Sequence, residues 1–352
     1  MSARILVGDC LTALRSLPEE SVQMCVTSPP YYGLRQYLPP DHADHGLQLG
    51  LEPAFDCLGW ATQSRCGACY VCRLTAVFAE VRRVLRHDGT LWLNLGDSYA
   101  AQRDDQKPRS GSGKQASNAA ADFVAAPNRR RQDGLKPKDL MLVPERVALS
   151  LQADGWYLRS RIIWHKTAPM PESVRDRPTK SHEHLWLLSK SERYYYSESA
   201  REPCTQDERR PTFRGGAYVN GSTFDNGAGG RSTNTGNVRT ADGATRNWRD
   251  VWPIGPEPFR QAHRATFQTE IPRRAIVAGS KAGDVVLDPF AGAGTTGLVA
   301  DQLARDSILI ELNTEYAEMA RDRIRGAAPL YARVELYGAT TNDRLRARDR
   351  VR

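Results

Sequence analysis

The residues best suited to chemistry form the run Thr27-Ser28-Pro29-Pro30-Tyr31-Tyr32, directly after an apolar segment. Proline carries no N–H group, so the carbonyls of this turn stay available as hydrogen-bond acceptors. The Ser28 hydroxyl and the Pro29 carbonyl could therefore orient an amino group, and the Tyr31 ring offers a face for stacking. These residue types suit chemistry at an exocyclic amine, although the short string alone is equally compatible with a simple turn.

A second run, near the other end of the chain, is suited to binding a cofactor. It reads Asp288-Pro289-Phe290-Ala291-Gly292-Ala293-Gly294-Thr295-Thr296, follows an apolar strand and opens a helix. Its glycines allow close backbone approach, Thr295 or Thr296 is expected to cap the helix, and the helix N–H groups suit a carboxylate. One strand later, Glu311 in Ile310-Glu311-Leu312-Asn313 is placed to accept hydrogen bonds from ribose hydroxyls. No Gly-Lys-Ser/Thr follows the glycines, which excludes a P-loop.

Four of the seven cysteines lie close together in sequence, at Cys57, Cys66, Cys69 and Cys72. Close Cys-x2-Cys spacing can place thiolates around a single tetrahedral structural zinc, and His42 and His45 could substitute as ligands. The long gap of a zinc ribbon is missing, so free thiols stay as the alternative. We expect no catalytic metal.

The elements that would position these residues alternate between strands and helices. Apolar patterning predicts strands over residues 4–7, 22–27, 90–95, 157–165, 184–189, 194–196, 285–287 and 308–310. It predicts helices over residues 11–17, 74–85, 141–153 and from residue 272 onward. This alternation favours an open α/β sheet that binds its ligands at the carboxyl ends of the strands.

Composition sets the outer limits of the interpretation. The 352 residues allow one large α/β domain with insertions, or two domains. A formal net charge of +8 suits a polyanionic partner but is equally common in ordinary basic proteins. With neither a signal peptide nor an apolar span in view, we expect a soluble, cytoplasmic protein without membrane contact.

Together these motifs resemble the DNA amino-methyltransferases, whose signature joins (Asp/Asn/Ser)-Pro-Pro-(Tyr/Phe/Trp) to a Phe-x-Gly-x-Gly loop. The serine-proline motif precedes the glycine loop here, as in the β group of that family, and the resemblance covers most of residues 4–325. It extends to Ile163-Trp164-His165-Lys166 and to His263-Arg264-Ala265-Thr266-Phe267. It implies an α/β fold with a Rossmann-like, seven-stranded, mostly parallel sheet of the S-adenosylmethionine-dependent methyltransferase type, circularly permuted, with irregular DNA-recognition insertions.

The resemblance implies methyl transfer from S-adenosylmethionine to the exocyclic amine of a base flipped out of double-stranded DNA. The catalytic residues would be Ser28, Pro29, Pro30 and Tyr31. The cofactor-binding residues would be Asp9, Thr27, Thr266, Phe267, Asp288, Pro289, Phe290, Gly292, Gly294, Thr295, Thr296, Glu311 and Asn313. Asp9 could instead cap a helix, and Phe267 could be a core residue. Serine at position 28 resembles the cytosine-N4 enzymes, so cytosine N4 is expected, with adenine N6 as the alternative.

The family order also predicts a division of the chain. Residues 1–198 would form the catalytic half, with a cysteine-bearing insert at 38–73 and a mobile basic loop at 101–138. Residues 199–252 would recognise the target, 253–339 would form the cofactor half, and 340–352 would be a polar tail. DNA contacts are expected at Arg35, Lys166, Arg129, Arg130, Arg131, Arg209, Arg210, Arg214 and Arg231. A solvated linker is the alternative for 101–138, and a cognate restriction endonuclease and a homodimer are further expected partners.

Other functions fit the sequence less well. Cytosine-C5 methylation needs a cysteine nucleophile, and Pro203-Cys204 follows no predicted strand. A methyltransferase of RNA or of a protein amide remains open, as does a DNA-binding relative without activity. The intact serine-proline and glycine motifs argue against the inactive relative.

Overall fold

The computed structural model describes residues 1–34, 36–100, 134–169, 171–203, 245–256, 267–327 and 333–338. The chain divides into two compact units, one made of Met1–Ser197 with Asp250–Arg352 and the other of Glu198–Arg249. In the smaller unit, strands β6 (Arg201–Pro203) and β7 (Thr245–Asn247) pair in antiparallel fashion. The larger unit carries the main sheet.

The larger unit alternates strands and helices as the apolar pattern predicts. Its first part contains β1 (Ser2–Val7), α1 (Cys10–Ser16), β2 (Val22–Thr27), a short 3-10 helix (His45–Leu47), α2 (Gly59–Thr62), α3 (Tyr70–Val84) and β3 (Leu85–Leu95). Its middle part contains α4 (Val143–Ala153), β4 (Tyr157–Lys166), β5 (His182–Ser189) and β8 (Val251–Ile254). Its last part contains α5 (Glu270–Gly279), β9 (Val285–Asp288), α6 (Thr295–Gln302), β10 (Asp306–Glu311), α7 (Thr314–Ala327) and β11 (Arg333–Gly338).

The main sheet has nine described strands in the order β11-β1-β10-β9-β2-β3-β5-β4-β8. Every neighbouring pair is parallel except β3–β5 and β5–β4, so β5 alone runs in the opposite direction. β2 and β9 are neighbours, although most of the chain separates them. The predicted mostly parallel α/β sheet is confirmed.

Two details of the strand prediction were wrong. In the described part of the chain the sheet has nine strands rather than seven, because β8 and β11 pair at its two edges. Residues 194–196 form no strand, and the antiparallel strand lies inside the sheet rather than in an edge hairpin. Both edges of β5 are already hydrogen-bonded, to β3 and to β4, so the returning chain has no edge on which to pair. It turns away after Tyr195 N–H donates to the Asp88 carbonyl at 2.9 Å.

Helices cover both faces of the sheet. α3 contacts both α1 and α4, and in a second group α6 contacts both α5 and α7. β2 is buried at all six positions, as expected for a central strand covered on both sides. The larger core includes Leu14, Phe78 and Leu151, and a separate cluster includes Ile5 and Ile324. Among the described helices, none is both long and apolar enough to cross a membrane.

Candidate active site

A cavity of about 620 Å³ opens at the carboxyl ends of the parallel strands. It lies where the chain leaves β1, β2, β9 and β10, the edge at which open α/β sheets bind ligands. The catalytic motif lines it with Ser28, Pro29, Pro30 and Tyr31. The predicted cofactor residues that line it are Asp9, Phe267, Asp288, Pro289, Phe290, Gly292, Thr295 and Glu311. The two sequence motifs therefore meet in one site.

The Tyr31 side chain is held firmly at the wall of this cavity. Its hydroxyl donates to Glu183 Oε2 at 2.7 Å and also lies 3.3 Å from Asn94 Oδ1. Its ring packs so closely on Gly96 that a Cβ there would lie 2.4 Å from Tyr31 Cε2. Burial, and then the negative charge of Glu183, hold the pKa of Tyr31 well above its ordinary value. The hydroxyl thus stays protonated, and the ring orientation is set by contacts on strands β3 and β5.

The two proline carbonyls of the motif differ in their partners. Tyr70, the first residue of α3, donates its hydroxyl to the Pro30 carbonyl at 2.7 Å. No hydrogen bond among the described residues uses the Pro29 carbonyl, which leaves it available as an acceptor. Ser28 Oγ lies 3.4 Å from both the Tyr31 hydroxyl and Asn94 Oδ1, which are long contacts that a better partner could replace. The turn can therefore accept hydrogen bonds from an amine at two atoms.

Lys166 completes a charged group beside Tyr31. Its Nζ forms an ion pair with Glu183 Oε1 at 2.5 Å and lies 4.7 Å from the centroid of the Trp164 ring. Glu183 also accepts from Asn94 Nδ2 at 3.4 Å. Lys166 lines the cavity, so the residue predicted to contact DNA lies within reach of any group bound there.

Three residues of this group escaped the sequence analysis. Asn94 lies near the end of β3 and Gly96 directly follows it, and that strand was interpreted as core. Glu183 is the second residue of β5, a strand whose place in the sheet was not predicted. The one usable signal was Asn94, a polar residue in an otherwise apolar run that ends at the carboxyl edge of the sheet. Asn94 is almost fully buried, which such a residue tolerates only with hydrogen-bond partners.

On the cofactor side, Asp288 joins the two halves of the site. Its carboxylate accepts from Thr27 Oγ1 and from Thr296 Oγ1, both at 2.6 Å, and from the Phe290 N–H at 3.0 Å. Burial raises the pKa of Asp288, and these hydrogen bonds oppose the shift. Thr27 and Thr296 are fully buried and support the cavity from behind rather than lining it.

Glu311 presents a carboxylate to the cavity. Its oxygens accept from the Gly292 N–H at 2.7 Å and from the Asn313 N–H at 2.9 Å. An ionised carboxylate has about four acceptor positions, so two remain for a ligand. Burial raises the pKa of Glu311 to about 7 despite these donors. Asn313 itself does not line the cavity; its amide donates to the Tyr37 carbonyl at 3.2 Å.

The expected threonine cap on α6 was wrong. The N-cap is Gly294, in the left-handed region with φ of 73°, and no side chain caps the helix. Thr296 is engaged with Asp288 instead, and Thr295 accepts from Arg323 at 2.8 Å. A Cβ at Gly294 would lie 2.7 Å from the Ala320 Cβ, so glycine is required there by backbone shape and by close packing. Gly294 supports the loop without lining the cavity.

Asp9 both caps a helix and faces the cavity. It is the N-cap of α1, where its Oδ2 accepts from the Thr12 N–H at 2.8 Å, and it lines the cavity. Phe267 is half-buried at the cavity wall.

The four clustered cysteines bring their sulfur atoms within 4.8 Å of one another. His42 and His45 bond elsewhere, the first to Asp44 and the second to Gln36.

The remaining predicted residues lie outside the part of the chain that the structure describes. They are Arg35, Thr266, Arg129, Arg130, Arg131, Arg209, Arg210, Arg214 and Arg231. The segments 101–133 and 204–244, which carry most of the predicted DNA contacts, lie outside it as well. Their assigned roles stay predictions.

A mostly parallel sheet with one reversed strand, and a glycine loop that lines one cavity with a serine-proline turn, are the features of a Rossmann-like methyltransferase. The sequence model of the DNA methylase family, the N6/N4 type, matches residues 22–322. The chain belongs to this family of DNA amino-methyltransferases. The type II methyltransferase M.Cfr9I of Citrobacter freundii is 41% identical over 328 residues, which are 92% of this chain and 88% of that protein. The type II methyltransferase M.SmaI of Serratia marcescens is 40% identical over 324 residues, which are 92% of this chain and 91% of that protein.

Solved structures share the fold. One is TTHA0409 of Thermus thermophilus, a DNA modification methylase by its description, in complex with S-adenosyl-L-methionine. It superposes on this chain with a TM-score of 0.55 at 23% identity, and the match covers 96% of this chain and 98% of that chain. The cytosine-N4-specific PvuII DNA methyltransferase superposes with a TM-score of 0.54 at 17% identity, over 96% and 95% of the two chains. At these identities, the likeness establishes the architecture.

Proposed function

We propose that this DNA methyltransferase transfers a methyl group from S-adenosylmethionine to the N4 amine of cytosine in double-stranded DNA. One observation carries the proposal: the Ser28–Tyr31 turn and the Gly292 loop line the same cavity at the carboxyl ends of β2 and β9. One motif supplies acceptors for an amine, and the other supplies a site for a nucleoside cofactor. Their meeting is what direct transfer between the two requires.

The cofactor half fits S-adenosylmethionine on the evidence of Glu311. Its buried carboxylate lines the cavity and keeps acceptor positions beyond the two backbone N–H groups that it already binds, as a ribose diol needs. Phe290 and Asp9, also at the cavity wall, would flank the adenine. When bound, S-adenosylmethionine supplies an electrophilic methyl group on its sulfonium sulfur.

The catalytic half would orient the amine. With Tyr70 holding the Pro30 carbonyl, the Pro29 carbonyl and Ser28 Oγ accept the two amine hydrogens, which directs the nitrogen lone pair toward the methyl carbon. The amine nitrogen would form its bond to the methyl carbon as the sulfur–carbon bond breaks, which leaves the sulfur neutral, and the methylated amine would release one proton to water. The flipped base stacks on the Tyr31 ring, which Gly96 and Glu183 keep in place. Orientation and exclusion of water supply the acceleration, without a covalent enzyme intermediate.

The choice of cytosine rests on Ser28, because serine at this position resembles the cytosine-N4 enzymes; adenine N6 is the alternative. Unmethylated DNA of mixed sequence, incubated with methyl-labelled S-adenosylmethionine and digested to nucleosides, tests it by mass spectrometry. Labelled N4-methylcytosine is expected. Labelled N6-methyladenine would refute the base assignment, C5-methylcytosine would refute the chemistry, and no label in DNA would refute the activity.

DNA would enter along the basic segments. We propose contacts from Lys166 and Arg35 beside the cavity motif and from the arginines of 101–138 and 199–252, the latter as the target-recognition region. The affinity for DNA should then fall steeply with salt, since each phosphate contact releases counterions.

The relatives carry type II names, so we further propose a restriction endonuclease of the same target sequence as a functional partner. A homodimer is a separate proposal, tested by light scattering.

A further inference from the structure

The four clustered cysteines lie outside the cavity and form a compact group of their own. The sulfur atoms of Cys57, Cys66, Cys69 and Cys72 all lie within 4.8 Å of one another. Cys57 Sγ and Cys72 Sγ are 3.5 Å apart, and both thiols are free rather than disulfide-bonded. A tetrahedron with metal–sulfur bonds of about 2.3 Å places its sulfurs roughly 3.8 Å apart. Shifts of less than about 1 Å would therefore seat an ion at the centre of the group.

Backbone N–H groups point at these sulfurs. Cys66 Sγ accepts from the Ala68 N–H at 3.4 Å and from the Cys69 N–H at 3.3 Å, and Cys69 Sγ accepts from the Cys72 N–H at 3.5 Å. Hydrogen bonds of this kind stabilise a thiolate and fix the direction of a ligand. Cys69 is also the N-cap of the 15-residue helix α3, whose positive end favours the negative charge of a thiolate group.

We propose that Cys57, Cys66, Cys69 and Cys72 bind one structural zinc ion. Four thiolates in tetrahedral reach form a soft ligand set that suits Zn²⁺. Four protein ligands close the coordination sphere and leave no position for a substrate, so the ion would have a structural role rather than a catalytic one. The proposal is independent of which base the enzyme methylates.

The zinc site would fasten the insert to the catalytic turn. Beside the cysteines, the N–H groups of Tyr70 and Val71 donate to the carbonyls of Ala54 and Phe55 at 3.1 and 2.9 Å. This brings the segment before Cys57 against the first turn of α3. Tyr70, which follows the ligand Cys69, is the residue whose hydroxyl holds the Pro30 carbonyl. An ion joining Cys57 to α3 would thus fix the residue that supports the catalytic motif.

Zinc content and cobalt spectra test the site without reference to activity. The full chain, purified under reducing conditions and reconstituted with zinc chloride, is passed through a desalting column and analysed by mass spectrometry for metals. We expect about one zinc per chain, and replacement by Co²⁺ should give the thiolate charge-transfer and d–d absorption of a tetrahedral sulfur site. Cys66→Ser, a change at the exposed ligand, should lose the zinc and the cobalt bands. Cys10→Ser, outside the cluster, should keep both.

Four outcomes would overturn the proposal. They are wild-type protein without zinc after reconstitution, zinc retained by a Cys66→Ser/Cys69→Ser double variant, octahedral cobalt spectra, and bound iron in place of zinc. Since variants of ligands can unfold, the wild type provides a second measurement. A chelator should remove its zinc and lower its Tm, and added zinc should restore both; a Tm that does not respond to metal removal contradicts the structural role.

Discussion

Gly96→Ala is the sharpest test of how the Tyr31 ring is positioned. A Cβ at this position would lie 2.4, 2.8 and 3.2 Å from three atoms of that ring, where ordinary contacts begin at about 3.4 Å. Gly96 is buried directly after β3, so its backbone has little room to shift. The Tyr31 ring must therefore move by about 1 Å, which strains the hydrogen bond from its hydroxyl to Glu183. No φ in the left-handed region is involved, so the effect is steric alone.

The magnitude follows from that displacement. Inserting a methyl group into a well-packed region costs about 1–3 kcal/mol of unfolding free energy. A misplacement of about 1 Å in a reacting group can cost roughly 100-fold in rate. We therefore expect kcat for methyl transfer to fall about 100-fold, while the affinity for S-adenosylmethionine, which depends on the β9–β10 side of the cavity, stays within about twofold.

The assay measures single-turnover transfer of labelled methyl to DNA, cofactor affinity by calorimetry and stability by urea unfolding. Gly326→Ala is the matched control, since a Cβ there would meet nothing within 4 Å. It should leave transfer unchanged. If Gly96→Ala kept more than a third of wild-type transfer, the ring would not be held against Gly96 in the reacting complex. Parallel losses of cofactor affinity and of cooperative unfolding would point to a general defect instead.

Three further predictions concern a residue that lines the cavity and residues that support it from behind. Because the pKa of Glu311 is raised to about 7, the fraction of the ionised carboxylate grows from pH 6 to pH 8. The affinity for S-adenosylmethionine, measured by calorimetry, should therefore rise over that range, by roughly tenfold per pH unit below the pKa. Glu311→Gln should remove this pH dependence. Tyr70→Phe should lower unfolding free energy by about 0.5–1.5 kcal/mol and reduce kcat without weakening cofactor binding, because the partly buried Pro30 carbonyl loses its donor. Thr27→Val and Thr296→Val should each destabilise by about 1.5–3 kcal/mol in urea unfolding, and the double variant should lose more than the sum, because Asp288 then keeps only the Phe290 N–H.

The sequence could predict most strands and the meeting of the two motifs, for physical reasons. Buried parallel strands are mostly apolar, so residues 22–27 and 285–288 stand out from their surroundings. Ser28 and Gly292 follow such strands directly, and parallel strands bring their carboxyl ends to one edge. Local chemistry and elementary topology were enough for these assignments.

The features that the sequence could not predict are contacts that depend on which elements become neighbours in the fold. Glu183 reaches Tyr31 only because β5 inserts in reverse between β3 and β4, and nothing within residues 182–189 specifies that insertion. The same insertion left residues 194–196 without an edge to pair on, although three tyrosines in a row favour a strand. Thr296 was misjudged for a similar reason. A helix cap is a local choice, but a buried carboxylate from the preceding strand offered its hydroxyl a stronger, charged partner.

Asp288 shows why the two halves can act as one site although they are far apart in sequence. Thr27, at the end of β2, and Thr296, in α6, bind the same buried carboxylate, and β2 pairs directly with β9. The serine-proline turn and the glycine loop therefore leave adjacent strands whose ends are joined by short hydrogen bonds. The distance between amine and methyl group would then be set by the sheet rather than by flexible loops, so catalysis should tolerate changes in the recognition segments better than any change at Asp288.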